Sequence, residues 1–206
     1  MTSAALETEP KSAPSGRRRG DSRRRLLAAA RRLFVDRGYH ETRPQDIARA
    51  ADLGHGTFYL HFADKRACFL AFVEEARGEL QQEIERRMTA DLDLGGSIRA
   101  ILEASWDYGE RNPGVIRAAL TDISMIANDQ DTPTSLMHIW GEHWGQILAN
   151  GIKSGRVHAG YDPTIIGHAI IGFIVNAGMQ TGPSPRSRRR VIDNLTTFLT
   201  RALAPD

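Results

Sequence analysis

Apolar residues return at three- and four-residue intervals through almost the whole chain, and no stretch alternates with period two long enough to make a strand. Leu26, Leu27, Ala30, Leu33 and Phe34 form the first stripe. Asp21 and Ser22 read as its N-cap, and Gly38 stops it. Thr42 and Gln45 have the spacing of a capping box, and Pro44 suits the first turn of a short helix reaching Ala51. Residues 52–55 read as a turn and 56–62 as a second short helix. Asp64 then caps a long helix with the stripe Phe69, Phe72, Val73, Ala76, Leu80, Ile84, Met88. Carried to Ala90, it spans nearly 40 Å at about 1.5 Å per residue, longer than the small head could cover. It must bridge two domains.

Beyond Gly95 and Gly96 the period stays helical. Ile98, Ile101, Leu102, Ser105 and Trp106 line one helix, ended by Asn112-Pro113. Val115, Ile116, Ala119, Leu120, Ile123 and Ile126 line the next, and residues 129–133 form a polar loop. Leu136, Trp140, Trp144, Ile147 and Leu148 mark a third stripe, ending near Gly155. The segment opened by Asp162-Pro163 is apolar nearly all round. The last helix carries Val191, Ile192, Leu195, Phe198, Leu199, Ala202 and Leu203. The fold class expected is all-α.

Charge divides the chain differently. Residues 1–66 carry 14 Lys and Arg against 8 Asp and Glu, and residues 67–206 carry 13 against 17. A basic head on an acidic body implies a head that meets a polyanion. The single cysteine, Cys68, excludes an intramolecular disulfide framework. Residues 1–20 lack apolar periodicity and read as a disordered tail. No leader with an apolar run is visible, and the most apolar stretch, 165–179, is short of a bilayer span and contains His168 and Asn176. A cytoplasmic protein without membrane insertion is expected.

The chemistry concentrates at 44–62. Two short helices joined by a tight turn form a helix-turn-helix, which offers its second helix to the major groove. In Gly56-Thr-Phe-Tyr-Leu-His-Phe62, Phe58 and Phe62 face inward, so Thr57, Tyr59 and His61 can reach phosphates or base edges, followed by Lys65 and Arg66. A small helical domain with a polar face would share this spacing. Gly38-Tyr39, Thr42, Ile47-Ala48, Ala51, Gly56-Thr57-Phe58-Tyr59, His61-Phe62 and Lys65, in this order and spacing, resemble the DNA-binding domain of TetR-family transcriptional repressors. The resemblance covers about residues 22–82. It implies DNA contact from about 45–64, with Thr42, Thr57, Tyr59, His61 and Lys65 at phosphates or bases. Gln45 opens that segment, Arg43 just before it is a candidate further phosphate contact, Gly56 lies in it, and His55 is a candidate base reader. Asp52 replaces the usual turn glycine and Gly54 the usual capping serine. Arg17–Arg19 and Arg23–Arg25 read either as an arm for the minor groove or as a solvated tail. Arg186 and Arg188–Arg190 read as a solvated face.

The division expected is a basic tail at 1–21, a head at 22–82, and a regulatory and dimerisation domain at 83–206. The apolar segment 162–181 and the last helix, 185–203, would form half of a four-helix interface between two copies, presenting two heads to a near-palindromic double-stranded operator. Trp106, Met125, Met137, His138, Trp140, Trp144, Phe173 and Asn176 either fill the core or line a cavity for an apolar or aromatic effector, as the resemblance implies. His138, Glu142 and His143 have zinc-ligand chemistry, but His138 and His143 are five apart and share no helix face, so no metal is expected. No cofactor site and no catalytic constellation stands out. The expected function is a ligand-responsive transcriptional repressor, not an enzyme; an architectural DNA binder or an enzyme with a DNA-binding head are the alternatives.

Overall fold

Caps and glycines set the helix boundaries. The structure, a computed structural model, describes residues 16–89, 91–121, 136–180 and 184–205. Among them run α1 (Gly16–Glu41), α2 (Pro44–Ala50), α3 (His55–Tyr59), α4 (Lys65–Glu85), α5 (Leu94–Arg111), α6 (Val115–Thr121), α7 (Leu136–Lys153), α8 (Pro163–Gln180) and α9 (Pro185–Leu203). The fold is all-α. Ile123, Met125, Ile126 and the loop at 129–133 lie outside the described residues, as do residues 1–15 of the expected tail.

Three expected boundaries move. α1 begins before Ser22, because that hydroxyl is no cap: it donates back to the carbonyls of Arg18 and Arg19, as an interior helical serine does. Residues 16–21 therefore belong to the helix rather than to a tail. Thr42 makes no capping box either. The N-cap of α2 is Arg43, without a side-chain bond, and the Thr42 hydroxyl donates instead to the Gly38 carbonyl at 2.8 Å, closing the end of α1. α4 stops at Glu85, since Met88, the last residue of its stripe, meets solvent and finds no core to hold another turn. It is about 30 Å long, not 40.

Other local readings stand. Gly38 takes φ 81°, and Asp52 takes φ 53°, the left-handed turn that aspartate tolerates. Asp64 caps α4, accepting from the Ala67 N–H at 2.7 Å, and Asp93 does the same for α5 through Gly96.

The head packs around Phe34, Phe58, Phe69 and Phe72, all fully buried, with Phe34 edge-on to Phe69 at 5.0 Å between centroids. Cys68 lies in the same core, its thiol pushed up to about 12 by burial. This core does not end at the head. Tyr108 of α5 and Val115, Ala118 and Ala119 of α6 complete it. A second core joins Ile98, Leu102, Trp144, Leu148, Ile170, Ile192 and Leu199. Within it α7 and α8 cross so closely that a Cβ on Gly167 would lie 2.4 Å from the Gly141 carbonyl oxygen. Only glycine fits there.

Candidate functional site

The helix-turn-helix presents the face its spacing implies. Phe58 and Phe62 are buried, which turns His55, Gly56 and Tyr59 outward, with Thr57 half-buried; Tyr59 is 51% exposed and meets His55 edge-on. Arg43 and Gln45 are exposed at the start of α2. His61 Nε2 lies 2.7 Å from the Ser22 hydroxyl, and burial together with the charges of Arg19 and Arg23 lowers its pKa, favouring a neutral ring. Lys65 donates to the Tyr39 and His40 carbonyls at 2.8 and 3.3 Å and sits over the Tyr39 ring. Thr42 is fully buried with its hydroxyl spent on Gly38, so its side chain faces the core rather than a groove. The arginine run lies on α1 against the motif: Arg19 donates to the Leu60 carbonyl and Arg25 to those of Ala51 and Asp52.

Besides the shared core, a polar cluster joins head and body. Arg31 of α1 grips Glu79 of α4 with both amino groups, at 2.8 and 2.9 Å, and donates to Asn112 Oδ1 at 2.7 Å; the Tyr108 hydroxyl donates to the same Glu79 carboxylate. Burial alone would raise Glu79, but the bonds from Arg31 and Tyr108 outweigh it and hold the carboxyl below its ordinary value. A second cluster ties α9 to α5. Asp107 holds both Arg87 and Arg188, and Arg188 also reaches Glu110 at 2.9 Å. Arg188 is thus an anchored side chain, not part of the solvated face expected from its arginine run.

Behind these clusters lies a cavity of about 890 Å³. Its walls include Trp106, Ile116, Trp140, Trp144, Ile147 and Ile174, with Arg77, His143, Asn176 and Arg188 as polar groups. Burial and the nearby Arg77 charge push the His143 pKa down, so the ring favours its neutral form.

Two further groups lie outside it. Ile165 and Phe173 of α8 are 67% and 48% exposed; Phe173 meets Phe198 of α9 edge-on at 5.6 Å, so the two helices present an apolar face. His138 and Glu142 of α7 meet His168 of α8, with His138 Nδ1 3.2 Å from His168 Nε2.

The sequence profile of the tetR family of bacterial regulatory proteins matches residues 26–72, from the middle of α1 into α4. Residues 26–72 are thus a TetR-family DNA-binding region. The chain is 34% identical over 103 residues to the transcriptional activator FasR of Mycolicibacterium smegmatis, a match spanning 47% of each chain, so about half of that relative's length. The transcriptional repressor KstR2 of Rhodococcus jostii is 26% identical over 69% of this chain and 72% of its own. The structure of RolR in complex with resorcinol shares the fold at 19% identity and a TM-score of 0.62, over 88% of this chain and 89% of that one. Among the described residues no helix is long and apolar enough to cross a membrane.

Within that TetR frame the fold gathers the expected cavity residues only in part. Trp106, Met137, Trp140, Trp144 and Asn176 line the space. Phe173 points away, onto the apolar face with Phe198. His138 faces His168 instead, and Met125 lies outside the described residues. His143, next to Trp144, lines the space too, whereas spacing misses Arg77 and Arg188, since only tertiary packing turns their distant helices toward one space.

Proposed function

We propose that the chain is a dimeric DNA-binding transcriptional regulator whose operator affinity is set by an apolar or aromatic molecule in the cavity. One observation carries the link between the sites. α6 has two faces: Val115, Ala118 and Ala119 sit in the core of the head, while Ile116, Arg117 and Leu120 line the cavity. A ligand that displaces α6 disturbs the seat of α1 directly. Two conformations with different head positions would then have different operator affinities, and the ligand shifts their populations only by its differential affinity for them. The cavity is in the size range of drug-sized ligand pockets, which favours an effector-responsive regulator over an architectural binder. Its aromatic lining suits a flat or apolar effector, as with the resorcinol held by RolR.

The head, about residues 22–82, reads DNA through Tyr59, Thr57, His55, Arg43 and Gln45, with His61 and Lys65 beside it. The body, from about 83, carries the cavity and pairs two copies through α8 and α9. The exposed Ile165, Phe173 and Phe198 support that pairing, because a monomer would leave this apolar face in water. Two heads related by a two-fold would read the halves of a near-palindromic operator.

The test is to select genomic fragments bound by the purified chain, then titrate the recovered operator with and without candidate aromatics. Tryptophan fluorescence follows the ligand, since all three Trp lie in the body. A ligand that quenches fluorescence must weaken operator binding, and operator must weaken ligand binding by the same factor. Quenching with operator affinity unchanged overturns the coupling, and a monomeric mass by light scattering overturns the dimer. A reporter gene behind the operator reads whether the chain represses, as KstR2 does, or activates, as FasR does.

A further inference from the structure

The face of α7 opposite the cavity carries chemistry that effector binding does not use. His138 and Glu142 stand one turn apart on α7, and His168 enters between them from α8. The approach is made possible by Gly141. A Cβ there would lie 2.5 Å from the His168 ring, so the missing side chain is the space the imidazole fills. One donor atom from each of the three residues lies within 4.8 Å of the others.

The protons of the cluster point the same way. The Thr164 carbonyl, 2.9 Å from His168 Nδ1, can only accept, so Nδ1 carries a proton. A neutral His168 then directs the lone pair of Nε2 at His138 Nδ1, 3.2 Å away, with Glu142 Oε1 at 4.0 Å. A ligating histidine is oriented in this way when its second nitrogen donates to a backbone carbonyl. A divalent cation placed between the two imidazoles can take His138 Nδ1 and His168 Nε2 together with the carboxylate. Donors of a tetrahedral zinc ion with bonds near 2.0–2.1 Å stand about 3.3 Å apart, so the histidine pair already has the right separation. Glu142, half exposed, has to close the remaining gap.

We propose that His138, Glu142 and His168 form a binding site for a divalent transition-metal ion of the zinc type, with water in the fourth position. Two imidazoles and a carboxylate favour such ions over calcium or magnesium. The bound ion fastens α7 to α8 beside their glycine crossing, and α7 carries Met137, Trp140 and Trp144 to the cavity wall.

The experiment uses the untagged full chain stripped with a chelator. Zn²⁺ is titrated against a chromogenic chelator, and Co²⁺ is followed by its visible absorption. One Zn²⁺ per chain and an intense tetrahedral Co²⁺ band are expected. His138→Ala and His168→Ala should each weaken Zn²⁺ binding at least about tenfold and abolish the Co²⁺ band, with Glu142→Gln weakening both. The metal-free His138→Ala and Glu142→Gln variants should melt close to the wild type, because both residues are exposed, whereas His168→Ala should melt lower for the space it empties at Gly141. His158→Ala, on the separate turn before α8, should leave Zn²⁺ affinity and the Co²⁺ band unchanged. Equal Zn²⁺ affinity in the wild type and the His138→Ala/His168→Ala double variant overturns the site, as does loss of binding in His158→Ala. Operator and effector binding are measured separately, so failure here is distinct from failure of the regulatory reading.

Discussion

Gly114 offers the most direct test of the path through α6. It precedes that helix at φ 78°, and a Cβ added there would lie 2.8 Å from Val35 Cγ1 on α1. Gly114→Ala therefore carries two costs. The left-handed backbone costs a non-glycine residue roughly 1–2 kcal/mol, and a methyl driven well inside the 3.5–4.0 Å contact distance adds about 1–3 kcal/mol of overpacking. Alanine recovers about 0.4–1 kcal/mol by restricting the unfolded chain. The net cost is about 1–4.5 kcal/mol, or a melting temperature lower by roughly 2–18 °C for a chain of this size. The overlap is relieved by moving α6 from α1, the displacement assigned to the effector, so operator affinity should fall without any ligand. The assay pairs thermal denaturation with fluorescence anisotropy on the selected operator, in a cycle with Val35→Ala. Shortening Val35 removes the steric part, so the two substitutions should couple by at least about 1 kcal/mol and the double variant should regain operator affinity. Strictly additive stabilities, or an operator affinity untouched by Gly114→Ala, refute the argument.

Tyr59→Ala should weaken binding to every duplex about equally and His55→Ala should change preference among sequences, both read by anisotropy against specific and random DNA. Affinity should also fall steeply with salt as phosphates release counterions, and a flat salt series would contradict a phosphate-tracking head. Burial raises the Asp107 carboxyl, but Arg87 and Arg188 outweigh it and hold it below its ordinary value. Its stabilisation is therefore present above the unfolded carboxylate value, about 3.9, and is lost as pH falls through the lower folded value. Urea midpoints should drop across that window, and less so in Asp107→Asn. His143 has the opposite sense: its lowered pKa makes folding less favourable as pH falls below about 6.5, and His143→Phe should remove that part of the decline.

The head was legible because its signals are local. Phe58 and Phe62 lie one turn apart and had to share a buried face, which left Tyr59 outside. Asp52 and Asp64 act within a few residues of themselves, so turn and cap could be read in place. At Ser22 the local signal misleads: the helix starts upstream, so the hydroxyl has carbonyls behind it to bond. Thr42 had the spacing of a cap, but the Gly38 carbonyl competed for its hydroxyl and won. In the body the decisive pairs are distant. Arg188 finds Asp107, His138 finds His168 and Phe173 finds Phe198, each across 25 residues or more. Periodicity gives the face of a helix but not the neighbour that face will meet.

Burial of Cys68 has a practical corollary. The only sulfhydryl in the chain is sealed among phenylalanines, and at neutral pH almost none of it exists as thiolate. Maleimides and methanethiosulfonates will pass it by in the folded protein. A cysteine introduced at an exposed head position, such as Asp36→Cys on α1, would then be the single addressable handle per chain, with no background to subtract. Spin labels placed there would turn a pair of heads into a molecular caliper, reading their separation with operator bound, with effector bound and with neither.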